Sequence, residues 1–92
     1  MPPIINKYVE LYFKEQFILN NPAYIADMKK AVEFTSMENR VLNVIYSMAK
    51  EKQGFYLNHI IETIHEDNKN LVIDAIESLI QKLVIIAPKN KQ

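Results

Sequence analysis

The sequence predicts a small, mainly α-helical domain that ends in a short β-strand. Three observations lead to this fold class: apolar residues recur at helical spacing, helix-capping residues precede several of these stretches, and the last apolar run is β-branched. The chain has 92 residues, of which 49% are hydrophobic. This length supports one packed core and is too short for two, so we expect one cooperative unit.

The composition excludes several classes of protein. The chain contains no cysteine, so disulfides and thiolate metal sites are excluded, and the simplest compartment is the reducing cytoplasm. No apolar run approaches the roughly 18 to 20 residues that cross a bilayer, so we expect no membrane partner. The 11 basic and 11 acidic residues balance each other. This balance weakens the case for a protein that relies on non-specific phosphate neutralisation.

The first predicted helix runs from about Asn6 to Leu19. Its apolar residues occupy most of the helix circumference, so more than one side of the helix must be buried against other parts of the protein. A monomer of this size has too little mass left to cover all the aromatic side chains, although the helix could also lie flat on its own domain. We therefore expect a homodimer with an interface formed by Tyr8, Tyr12, Phe13 and Phe17.

The second predicted helix begins at an N-cap followed by proline. Asn21 offers a side-chain oxygen for the cap, and Pro22 fits the first helical position because no amide donor is needed there. Apolar spacing carries this helix to about Phe34. Residues 1–34 are thus expected to form a helical extension that packs on the rest of the chain and supplies the dimer contact.

The third predicted helix begins at a capping box. The Thr35 hydroxyl can accept a hydrogen bond from the amide of Glu38, and the Glu38 carboxylate can reach back to the cap. Apolar residues at helical spacing continue to about Lys52. Gly54 is expected to end the helix in a left-handed conformation.

Two more helices and a strand complete the prediction. After an extended stretch, Asn58 is expected to cap a fourth helix from about His59 to His65. Asn68 is expected to cap a fifth helix, Lys69 to Lys82, which buries Leu71, Val72, Ala75, Ile76, Leu79, Ile80 and Leu83. Residues 83–87 are apolar and β-branched, and they predict a strand.

This order of elements is similar to that of the winged-helix family. The stretch from Ile76 to Ile86 resembles the end of the family's recognition helix entering the first wing strand. Many members there have leucine, two further residues, leucine, and then lysine-glycine-leucine-isoleucine. The resemblance covers about Thr35 to Pro88. It implies a winged helix-turn-helix domain at residues 35–92, preceded by two extra N-terminal helices.

Two departures from the family pattern affect this expectation. Leu83 stands where the family often has glycine. After Pro88 only four residues remain, which are too few for the second strand of a wing hairpin. We therefore expect a wing that is truncated or is supplied by the first half of the chain.

The resemblance implies that the fifth helix enters the major groove of DNA with its N-terminal residues nearest the bases. Asn68, Lys69 and Asn70 occupy that end, where an amide can pair with an adenine edge and the lysine can neutralise a phosphate. Further cations that could meet the DNA backbone are Lys50, Lys52, Lys89 and Lys91.

The resemblance therefore favours a sequence-specific protein that binds double-stranded DNA as a homodimer, of the transcription-regulator or plasmid- or phage-segregation type. In such a dimer, two recognition helices about 34 Å apart would let two weak contacts add. The alternative is a winged-helix adaptor that binds another protein and no DNA. Zero net charge, with Asp74 and Glu77 on the exposed face of the fifth helix, favours this alternative.

No catalytic or metal site is expected. The serine and threonine residues do not stand in tight glycine turns, and no glycine-rich loop could cradle a phosphate. His59 and His65 are six residues apart, so on one helix they diverge by about a third of a turn, unlike the histidines of a zinc-binding helix. The sequence therefore predicts no enzyme and no cofactor.

Overall fold

The computed structural model describes residues 16–49 and 54–87 of the chain. Over these two ranges the protein is mainly helical and has a small antiparallel sheet of three strands, which confirms the mainly α prediction. No helix in these ranges is long and apolar enough to span a bilayer. The elements are β1 (Gln16–Leu19), α1 (Pro22–Ala31), α2 (Ser36–Ala49), β2 (Gly54–Tyr56), α3 (Leu57–Thr63), α4 (Lys69–Gln81) and β3 (Ile85–Ile86).

The sheet has the order β2-β1-β3, and β1 runs antiparallel to both neighbours. Phe17 pairs with Phe55, and Leu19 pairs with Ile85. Because side chains alternate along a strand, these pairs share one face of the sheet. Phe17, Phe55 and Ile85 are buried there and join the same apolar cluster as the helices.

The predicted first helix is wrong at its end, because Gln16–Leu19 is strand β1. Phe17 is fully buried, whereas the neighbouring Ile18 is 37% exposed, as expected for alternation along a strand. This segment is a strand because it pairs with two strands that lie far along the chain. The local spacing of apolar residues does not indicate that pairing. The rest of the predicted helix, up to residue 15, lies outside the described residues.

Two predicted helix caps are confirmed. The Asn21 Oδ1 atom accepts a hydrogen bond from the amide of Ala23 at 2.8 Å, and α1 starts at the following proline. The Thr35 amide donates to Glu38 Oε1 at 2.7 Å, and the Glu38 amide donates to Thr35 Oγ1 at 3.1 Å, which is the expected capping box. Helix α1 ends at Ala31, earlier than predicted, because the backbone is already extended at Val32.

Two predictions between α2 and α3 are wrong. Gly54 does not have a positive φ; it lies in β2 and pairs with Ile18. Asn58 does not cap α3, because the helix already begins at Leu57, and Tyr56 occupies the cap position without a side-chain hydrogen bond. Leu57 is fully buried, so packing of this side chain moves the start of the helix two residues earlier than predicted.

Helix α4 supplies the largest share of the core. Its buried residues are Val72, Ile73, Ala75, Ile76, Leu79 and Ile80. The predicted cap is confirmed, since Asn68 Oδ1 accepts from the amide of Asn70 at 3.1 Å. The predicted burial of Leu71 and Leu83 is wrong: these side chains are 46% and 56% exposed. Leu71 lies at the edge of the buried side of the helix, and Leu83 lies beyond the helix end.

The turn after α4 places Leu83 in the left-handed region, with a φ of 62°. The Leu83 amide donates to the Ile80 carbonyl at 3.0 Å, and the Val84 amide donates to the Leu79 carbonyl at 2.9 Å. These two bonds form a Schellman motif, in which glycine usually occupies the position of Leu83. Strand β3 therefore starts only at Ile85 and is shorter than the predicted strand over residues 83–87.

Candidate functional site

The start of α4 holds three of the residues that the sequence predicts to contact DNA. Asn68 is exposed and uses its side-chain oxygen as the helix cap, and Asn70 is half-buried in the first turn. The Lys69 ammonium donates to the carbonyls of Ile64 at 2.9 Å and Ile61 at 3.3 Å. Lys69 thus caps the C-terminal end of α3, a structural role that the sequence did not indicate.

The remaining predicted contact residues cannot be placed beside this helix end. Lys50, Lys52, Lys89 and Lys91 lie outside the described residues. The same is true of Tyr8, Tyr12 and Phe13 in the predicted dimer interface. The fourth residue of the predicted interface, Phe17, does not fit the prediction. Its side chain is fully buried in the core of its own chain, so it has no surface to offer a second copy.

One stripe of α4 faces the first turn of α2 across an open groove, which we call the α2–α4 groove. The stripe consists of Leu71, Asp74, Ala75 and Ser78, whose spacing places them on one side of a helix. The groove has a volume of about 490 Å³. Its lining residues are Thr35, Ser36, Met37, Glu38, Arg40, Glu66, Leu71, Asp74, Ala75 and Ser78.

Carboxylates dominate the surface around this groove. Over residues 57–81, five acidic residues stand against a single lysine: Glu62, Glu66, Asp67, Asp74 and Glu77. That lysine is Lys69, whose ammonium is already bound to two carbonyls. Across all the described residues, eight acidic residues stand against five basic ones. Among the described residues, the α3–α4 surface therefore carries more acidic than basic side chains, a balance that favours cations over phosphate.

A buried carboxylate connects the α2 side of the groove to the α4 side. Glu38 is 2% exposed, and its Oε2 atom accepts hydrogen bonds from Ser78 Oγ at 2.5 Å and Lys82 Nζ at 2.6 Å. Burial opposes ionisation, but the bonds from Lys82, Ser78 and the Thr35 amide, with the charge of Lys82, outweigh it and hold the pKa of Glu38 below its usual range. The charged form of Glu38 thus joins α2 to α4.

Sequence reasoning identified Glu38 as a cap residue and missed its second role. The polar residues Ser78 and Lys82 are four apart on α4, so they share one face, but their sequence does not say which element that face meets. Lys82 also lies over the Phe34 ring, 4.9 Å from its centre, and its carbonyl accepts a hydrogen bond from Tyr24 Oη at 2.7 Å. The end of α4 is therefore tied to α1, to α2 and to the segment between them.

The two histidines of the region around α3 show no metal-binding arrangement. The His59 ring packs edge-on against the Tyr56 ring, with 6.4 Å between centroids. Among residues 16–49 and 54–87, no three histidine, cysteine or acidic residues are grouped so as to hold a metal ion.

Comparison of the chain with protein-family models, with curated proteins and with solved structures gave no match.

Proposed function

We propose that this chain is a winged-helix domain in which β1 completes the sheet. The order α2-β2-α3-α4-β3 follows the family order, and β1 lies antiparallel beside β3, where the second strand of a wing hairpin would lie. Leu83 adds support, because it has the left-handed conformation at the position where the family often has glycine. In this proposal, β1 supplies the strand that a wing hairpin supplies in the family.

We further propose that the domain acts as an adaptor that binds another protein through the exposed face of α4. The observation that carries this proposal is the charge of that face: Asp74 is exposed on it, Glu77 is half-buried, and the ammonium of Lys69 donates to two carbonyls at the end of α3. A helix that reads DNA lies against phosphates, and each uncompensated carboxylate there weakens binding. A protein partner carries no such penalty.

Salt-dependent chromatography tests this proposal. On a heparin column and on a column of random-sequence duplex DNA, the full chain should pass without retention at physiological ionic strength. A protein that neutralises several phosphates is retained there, and its affinity falls steeply as salt rises. Steep, salt-sensitive retention on both columns would contradict the adaptor proposal.

Sequence-specific DNA binding is the second candidate, and one observation favours it. Asn68 and Asn70 stand at the exposed start of α4, and amide side chains can pair with adenine edges in the major groove. The test is selection of duplex oligonucleotides from a random pool. If a site is selected, Asn70→Ala should weaken binding to that site by about 1 to 3 kcal/mol and leave non-specific binding unchanged.

The homodimer stays a prediction, and it is compatible with both candidate functions. Sedimentation of the full chain, and of a variant with Phe13→Glu, tests it without disturbing the buried Phe17. A wild-type chain that sediments as a monomer at high micromolar concentration would contradict the dimer.

A further inference from the structure

We infer that the α2–α4 groove docks a protein segment with an apolar anchor flanked by lysine or arginine residues. The inference rests on the adaptor function proposed above and specifies its surface and its partner. Two independent properties of the groove, its apolar floor and its acidic rim, define the chemistry of that segment.

The floor of the groove is apolar and includes an exposed leucine. Leu71 is 46% exposed although it belongs to the helix that supplies the largest share of the core. Met37 on α2 and Ala75 on α4 lie beside it in the groove lining. A volume of about 490 Å³ falls within the range of small binding clefts, roughly 300 to 1,000 Å³. A leucine-sized or aromatic anchor would remove Leu71 from water.

The rim of the groove selects the charge of the segment. Asp74 is exposed on one side and Glu66 lies on the other. The one cation of the lining, Arg40, is 3.7 Å from Glu66, so these two charges offset each other. The charge of Glu38 is already compensated by Lys82. Among the described residues, the lining charge left for a partner is therefore negative and lies at Asp74.

The groove is also rigid, which favours binding. Its α2 wall starts at the capping box of Thr35 and Glu38, and its α4 wall is bound to the same carboxylate through Ser78. Buried Val72 and Ile76 fix α4 on the core from the other side. A partner therefore meets a surface that needs little ordering, so less of the contact energy is lost on association.

The test begins with a library of random short peptides displayed on phage and selected on the immobilised full chain. The same library is selected in parallel on the Asp74→Lys variant. Peptides from the wild type should be enriched in lysine and arginine around an apolar residue. Peptides from the variant should lose that basic enrichment, because the sign of the rim charge has been reversed.

The strongest wild-type peptide is then synthesised, and its Kd is measured by fluorescence anisotropy. Leu71→Ser should weaken binding about tenfold, as expected when a central apolar contact is lost. Asp74→Lys should weaken it about fivefold or more at low salt and less at high salt. Glu77→Lys is the matched control, since it makes the same charge change on α4 outside the groove lining, and it should have a smaller effect.

Circular dichroism and chemical denaturation check that the variants fold. Leu71 and Asp74 are exposed, so both variants should keep the wild-type circular dichroism spectrum and unfold cooperatively.

The outcomes separate failure of the groove from failure of the adaptor function. Peptides that bind equally well to Leu71→Ser and Asp74→Lys would overturn the groove and leave the adaptor function standing. Acidic or charge-neutral peptides would overturn the assigned partner chemistry. A wild-type dimer that Leu71→Ser converts to monomer would show that a second copy occupies the groove. No selected peptide, together with salt-sensitive DNA retention, would overturn both proposals.

Discussion

The two ends of α4 differ in what their side chains contact. At the C-terminal end, Lys82 and Ser78 donate to the buried Glu38, so this end is joined to α2. At the N-terminal end, Lys69 donates to carbonyls at the end of α3, and Leu71 leaves nearly half of its surface in water. The C-terminal end is thus fixed through a buried carboxylate, whereas the N-terminal end leaves an apolar side chain exposed at the groove.

The same contrast separates two lysines that look alike in the sequence. Lys82 forms an ion pair with a carboxylate that is almost fully buried, whereas Lys69 donates to carbonyls at the end of a neighbouring helix. Replacing either one breaks a specific contact, but only the first leaves a buried charge behind. The expected losses of stability therefore differ, and they can be ranked along α4.

The buried side of α4 should give the largest effect. Leu79 is fully buried there, so Leu79→Ala should lower the free energy of unfolding by about 2 to 5 kcal/mol. In a domain of this size, such a loss could prevent folding. Urea denaturation measures it. A loss below about 1 kcal/mol would mean that α4 is not packed as described.

Glu38→Gln should give the next largest effect, because it removes the charge that Lys82 pairs with while keeping the shape. We expect a loss of about 2 to 3 kcal/mol, since a charged hydrogen-bond donor is left without its partner. Glu33→Gln is a matched control at an exposed position near the same cap. It should change stability by less than about 0.5 kcal/mol, and equal effects of the two variants would contradict the role of Glu38.

The pH dependence of stability should report the same carboxylate. The pKa of Glu38 is lower in the folded state than its ordinary value of 4.5. Its charged form therefore stabilises the fold above that ordinary value, and this stabilisation is lost as the pH falls through the lower folded pKa. The stability difference between wild type and Glu38→Gln should shrink on acidification. A difference that stays constant down to acid unfolding would contradict the lowered pKa.

Lys69→Met should have a smaller effect at the other end of α4. The variant keeps the apolar stem and removes the ammonium that donates to Ile64 and Ile61, so α3 should lose about 1 kcal/mol of stability. Amide hydrogen exchange should show faster opening of α3 than of α4. Lys69→Arg retains the charge and should largely preserve the protection of α3. Equal amide exchange of α3 in the wild type, Lys69→Met and Lys69→Arg would contradict the role of Lys69 as a cap of α3.

Leu83→Gly should give the smallest effect and the opposite sign. Leucine is strained at a φ of 62°, whereas glycine adopts this conformation freely but has more conformational entropy to lose on folding. Because Leu83 is more than half exposed, little burial is lost, and we expect a net gain of about 0.5 kcal/mol. Thermal denaturation measures it. A clear loss of stability would mean that the leucine side chain contributes contacts that its exposure does not indicate.

The sequence predicted best the features that depend on near neighbours. Asn21, the pair Thr35 and Glu38, and Asn68 each bond to an amide within three residues, so their caps could be recognised locally. Asn58 has the same chemistry, but burial of Leu57 overrides it. Local signals therefore locate helix starts unless packing of an adjacent apolar residue moves them.

The features that were missed depend on which elements meet. The sequence predicts the end of a helix where strand β1 lies, because the partners of this strand are more than thirty residues away. Leu71 looks like a core residue until the position of α2 shows that it borders an open groove. The junction of Glu38, Ser78 and Lys82 joins residues forty or more positions apart. No window of sequence contains that information.

The position of β1 has a consequence for how the chain folds. This strand is synthesised first, yet it forms the centre of the sheet, and its two neighbours β2 and β3 are not paired with each other. The pairing of Ile18 with Ile86 spans most of the chain. Long-range pairings of this kind must close a large loop before they contribute, and they slow folding relative to helix formation. We therefore expect the helices to assemble early, and the sheet to close only after β3 has left the ribosome.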